Sequence, residues 1–137
     1  MIGIVIVAHG GLAREYLAAM EHVVGPKPGT RAISIAPDED RSAKRVEIAT
    51  AMRAVDEGQG VIVVTDVYGG TPSNLAMAAC GTDNCKVLCG ANLPMLIKLG
   101  KSRHLPLVTA VEQALASGRK YMNCTDDMVC RPAAAGL

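Results

Sequence analysis

Two unbroken apolar runs dominate the chain. Residues 2–8 read I-G-I-V-I-V-A and residues 61–65 read V-I-V-V-T. Neither alternates with polar positions, so each predicts a strand buried on both faces, as in a parallel sheet. Two shorter runs, residues 31–36 and 86–89, predict a second and a fourth strand. Between the strands the apolar period lengthens to that of a helix. Leu12, Tyr16, Met20 and Val23 predict a first helix over residues 12–24, closed by the Gly25-Pro26-Lys27-Pro28-Gly29 break. Ile48, Ala51, Met52 and Val55 predict a second helix ending near residue 57, with Gly58 as its cap. The acids of Pro37-Asp38-Glu39-Asp40 suit its amino end.

Thr71-Pro72 predicts the start of a third helix, with the threonine as N-cap and the proline first inside. Gly90-Ala91-Asn92-Leu93-Pro94 turns into a fourth helix over residues 95–100. A fifth helix is expected over residues 107–117, stopped by Gly118, followed by a last strand at 119–124. The alternation predicts an α/β, flavodoxin-like three-layer sandwich. Its mostly parallel sheet is expected in the order 2-1-3-4, with a C-terminal edge strand. One domain over residues 1–124 and a tail over 125–137 complete the expectation.

Composition narrows the function. The 137 residues carry a formal net charge of +1, with no Phe or Trp and three Tyr. No basic block or aromatic ladder supports nucleic-acid binding. No apolar stretch reaches the roughly 18 to 20 residues of a membrane span, so no direct membrane insertion is expected. No Lys or Arg precedes Arg14, unlike a secretory signal, which predicts a cytoplasmic protein. Five cysteines without a C-x-x-C read as reduced, mostly buried thiols, and no metal site or cofactor is expected.

The candidate chemistry lies where the two long strands end. His9 follows the first and Asp66 the third, and the order 2-1-3-4 sets them beside the point where the topology reverses. A neutral imidazole has one nitrogen free to attack, and a carboxylate on the other fixes the tautomer and supports the charge that develops. Gly10-Gly11 and Gly69-Gly70-Thr71 each precede a predicted helix and let backbone N–H groups approach an anion. Taken singly, each feature has a plainer reading: a helix-capping histidine, a turn aspartate, a tight turn. Their coincidence points to a histidine nucleophile in a phosphoryl receptacle. His22 and His104 lack the strand-end setting and read as non-catalytic. Tyr68 fits either a buried ring or a contact at the site mouth.

Competing signatures are missing: G-x-x-x-x-G-K-[ST], G-x-G-x-x-G after the first strand, and G-x-S-x-G. An aspartyl-phosphate receiver would want acids after the first strand, and none precedes Glu15.

Three segments, I-V-I-V-A-H-G-G, T-D-V-Y-G-G-T-P-S-N-L-A and C-G-A-N-L-P-M-L, carry a resemblance. They resemble the mannose-type enzyme IIA domain of the bacterial phosphoenolpyruvate-dependent sugar phosphotransferase system. The resemblance implies a phosphoryl carrier that accepts its group from the phosphocarrier HPr on His9 Nε2 and passes it to a IIB partner. Asp66 would orient the ring at Nδ1. Gly10, Gly11, Gly69, Gly70 and Thr71 would hold the phosphoryl group, with Thr71 where the family often has serine. It further implies a homodimer in which the strand at 119–124 pairs with the second subunit. The chain ends without a IIB domain, so a stand-alone form is expected. Some such forms serve a regulatory phosphorelay, which makes a phosphorylation-dependent binding module the alternative.

Overall fold

The computed structural model describes residues 1–126. Strands β1 (Gly3–His9), β2 (Thr30–Ile35), β3 (Val61–Thr65) and β4 (Cys85–Cys89) form one parallel sheet in the order β2-β1-β3-β4. Helices α1 (Leu12–Val24), α2 (Arg41–Val55), α3 (Thr71–Ala79), α4 (Leu93–Lys101) and α5 (Leu107–Lys120) cover it on both sides. This is the expected flavodoxin-like sandwich, and α1 and β3 have the expected bounds.

Strand alternation divides the core in two. Ile4, Ile6 and Ala8 of β1, with Ile62 and Val64 of β3, pack against Ala13, Met20, Leu96, Leu99, Ala110 and Ala114 of α1, α4 and α5. Val5, Val7, Val61 and Val63 face the other way, against Ile48 and Val55 of α2 and Leu75 and Ala76 of α3. Branched aliphatics thus fill a core that has no Phe or Trp. Each large one contributes about 1.5–3 kcal/mol by leaving water.

The amino end of the sheet is closed tightly. A Cβ at Gly3 would fall 2.6 Å from Val55 Cγ2 and nearer still to the Val55 carbonyl oxygen. Ile2 and Arg103 are joined reciprocally: Ile2 N–H donates to the Arg103 carbonyl (2.9 Å) and Arg103 Nε–H to the Ile2 carbonyl (2.7 Å). Among the described residues, no helix is long and apolar enough to cross a membrane.

Four local expectations are corrected. First, α2 ends at Val55 with Asp56 as its cap; Gly58 lies in the following turn, donating its N–H to Asp56 Oδ1 at 2.8 Å. Second, Thr71 is the first helical residue, Pro72 follows it, and Gly70 is the N-cap. The buried Ser73 hydroxyl supports that entry, accepting from Gly69 N–H (2.9 Å) and donating to the Gly70 carbonyl (3.3 Å).

Third, residues 119–124 form no strand. Arg119 and Lys120 are the last turn of α5, where cations favour the helix dipole, and Tyr121 caps it. Gly118 is a packing glycine instead of a stop: a Cβ there would lie 3.2 Å from Met95 Cβ and 3.3 Å from Asn92 Oδ1 of the α4 entry. The strand expected to pair with a second subunit is therefore absent from those residues. Fourth, Cys80 and Cys85 are joined by a disulfide. The short connection from α3 to β4 leaves their Cα atoms 5.6 Å apart, within disulfide range. Cys89 and Cys124 are free. Cys130 and most of the expected tail lie outside the described residues.

Candidate functional site

Register brings the two strand ends together. β1 and β3 run parallel with Val7 opposite Thr65, so His9 and Asp66 leave the sheet as neighbours. His9 Nδ1 lies 2.7 Å from Asp66 Oδ2. The same oxygen accepts the His9 backbone N–H at 3.1 Å, and Oδ1 accepts that of Val67 at 3.0 Å. The carboxylate is thus held from three directions, and its side chain is 10% exposed while that of His9 is 51% exposed.

Burial is the largest single influence on the Asp66 carboxyl and pushes its pKa up. The His9 ring, the His9 amide and Asp66's own amide together outweigh it, so the group sits below the ordinary aspartate range. The aspartate is therefore ionised near neutral pH and favours the His9 tautomer with its proton on Nδ1. The nitrogen left with a lone pair is Nε2.

The glycine loops shape the ring's surroundings. Gly70 passes so close that a Cβ would lie 3.0 Å from His9 Cε1 and 3.4 Å from Nε2. Gly10 leaves β1 with φ +55, in the left-handed region that favours glycine. Gly11 caps α1 without a side-chain bond.

A cleft of about 490 Å³ opens beside the ring, lined by His9, Gly10, Pro37, Arg41 and Thr71 among others. Of the sequence candidates, the structure joins His9, Asp66, Gly10, Gly70 and Thr71 into one site. His9, Gly10 and Thr71 line the cleft, Asp66 and Gly70 touch the ring from outside its lining, and Gly11 and Gly69 do neither. The start of α2 also lines the cleft, through Arg41 and Lys44.

Arg41 and Ser73 escaped the sequence reading. Arg41 Nη2 donates to Thr71 Oγ1 at 3.2 Å, across from α2 to α3. Its one sequence signal is its place straight after Asp40, whose side chain accepts the Ser42 N–H as the cap of α2. Ser73 carried the signal of a hydroxyl three residues past a glycine pair. Lys44 also lines the cleft, bound by Glu39 at 2.8 Å and Glu47 at 3.0 Å. Its hydrogen bonds to those carboxylates raise its pKa, and the Lys44 bond in turn lowers that of Glu39. Tyr68 and Val67 are exposed beside the site. Among the described residues, no three His, Cys, Asp or Glu side chains gather into a metal-holding group.

Comparison with known proteins gives concordant matches. The family model EIIA-man, described as "PTS system fructose IIA component", matches residues 3–115. The PTS system mannose-specific EIIAB component of Escherichia coli (strain K12) is 29% identical over 98 residues, 71% of this chain and 30% of that protein. The chain thus spans less than a third of that relative's length. The PTS system fructose-specific EIIA component of Bacillus subtilis (strain 168) is 24% identical over 93% of this chain and 90% of its own. The crystal structure of phosphotransferase system component EIIA from Streptococcus agalactiae superposes with a TM-score of 0.84 at 28% identity. That match covers 93% of this chain and 99% of that one.

Proposed function

The chain belongs to the EIIA-man family, and on that premise we propose that it is a phosphoryl carrier, charged on His9 Nε2. It accepts the group from phospho-HPr and passes it to a IIB component, working in the cytosol. The observation that carries this reading is the 2.7 Å contact of His9 Nδ1 with an ionised Asp66 whose side chain is 10% exposed, on a ring that is itself half exposed.

The chemistry follows from that contact. The lone pair on Nε2 attacks phosphorus and forms the new P–N bond. The bond to the donor nitrogen breaks, and its electron pair leaves with the donor imidazole. The His9 ring now bears a positive charge shared with its Nδ1–H, and Asp66 balances it across the hydrogen bond. The ring's exposure lets a protein donor reach Nε2. Gly70 keeps that side free of a side chain, and Gly10 and Thr71 line the space for the phosphoryl oxygens. Val67 and Tyr68 offer apolar contact to a docking partner.

The test is intact mass after incubation with phosphoenolpyruvate, enzyme I and HPr. The wild type is expected to gain one acid-labile phosphoryl group and His9→Ala none. A label retained by His9→Ala would move the chemistry to another residue.

A further inference from the structure

The cleft beside His9 contains two long cations in different conditions. Lys44 is answered twice, by Glu39 and Glu47. Arg41 has no carboxylate within ion-pair distance among the described residues, and it donates to the Thr71 hydroxyl. A guanidinium offers five N–H donors in a planar fork, so most remain for another acceptor. A hydroxyl that accepts from Arg41 keeps its own proton to give away. Two donor groups, one from α2 and one from α3, thus meet on a wall of the cleft that His9 also lines.

We propose that Arg41 binds the phosphoryl group carried by His9, with Thr71 as its co-donor. The assignment rests on the carrier reading above and adds a residue to it. Its electrostatic basis is simple. Asp66 already balances the charge on the ring, so a phosphoryl dianion on Nε2 arrives without a counter-charge. Arg41 is the cation lining the cleft whose charge is not already spent on a carboxylate. Its fork matches two phosphoryl oxygens, as an ammonium cannot. Arg41 forms and breaks no covalent bond. It sits on Thr71 while the site is empty and turns its donors to the anion when the site is charged.

Phosphoramidate tests this without a protein partner: Nε2 takes the phosphoryl group, and the donor nitrogen keeps the bond pair, gains a proton and leaves as ammonia. Wild type, Arg41→Gln and Arg41→Lys are compared for labelling rate, for ³¹P chemical shift and for lifetime of the adduct after the donor is removed. Arg41→Gln is expected to slow labelling about ten- to a hundredfold, the worth of one or two charge-assisted hydrogen bonds. It should also move the ³¹P resonance, and Arg41→Lys should recover part of the rate. Unchanged rate, shift and lifetime on a labelled Arg41→Gln would overturn the assignment and leave the carrier reading intact. So would slowed transfer from HPr with normal labelling by phosphoramidate, because Arg41 would then serve to dock the donor protein. A wild type that takes no label from either donor would remove the carrier reading and this assignment with it.

Discussion

The two ends of the same parallel strands use glycine for opposite purposes. At the amino end, Gly3 has no room for a side chain because the end of α2 presses on it. At the carboxyl end, Gly10 has nothing within 4 Å of an added Cβ, yet its φ of +55 strains any other residue. One glycine permits contact between layers and the other permits a change of direction. The amino end, with Ile2 and Arg103 interlocked, holds the layers together. The carboxyl end leaves a ring and a cleft exposed.

Three substitutions sharpen or break that contrast. Gly3→Ala should cost the most, about 3 kcal/mol, because the new methyl meets backbone as well as side chain. Urea unfolding measures it, and the fraction still folded should accept a phosphoryl group on His9 at the wild-type rate. Asp66→Asn should slow labelling about ten- to a hundredfold, as loss of a ligand-orienting partner does.

Asp66→Asn should also flatten an acid limb. The folded-state pKa of Asp66 is depressed, so its contribution to stability is present above the unfolded value of about 3.9 and lost as pH falls through the folded one. Stability of wild type minus variant, followed by denaturant titration from neutral to acid pH, should therefore shrink below about pH 4. A difference that holds constant on acidification would deny the pairing. Gly10→Ala should cost least, about 1 kcal/mol from backbone strain alone. A loss as large as that of Gly3→Ala would erase the distinction between the two ends.

The strand order and the His9–Asp66 pair were legible because both rest on local pattern: β-branched runs, and polar residues at their exits. Where tertiary contact decides, the pattern misled. Gly118 looks like a stop, but its missing side chain admits α4, and α5 runs on through Arg119 and Lys120. Cys80 and Cys85 read as isolated thiols until the turn between α3 and β4 juxtaposes them. Thr71 has the composition of a cap, yet Gly70 and the Ser73 hydroxyl perform that job. Arg41 gave least warning of all. Its contact with Thr71 spans thirty residues of sequence and exists because two crossovers return to the same side of the sheet.

The pairing of Val7 with Thr65 also bears on how such a chain can vary through descent. One residue inserted into β1 would displace His9 by about 3.3 Å and turn it to the other face of the sheet. A residue added between Gly25 and Gly29, or between Asp56 and Gly60, would move neither member of the pair. Changes of length should therefore collect in those turns, while the two strands pass down the lineage as fixed rulers.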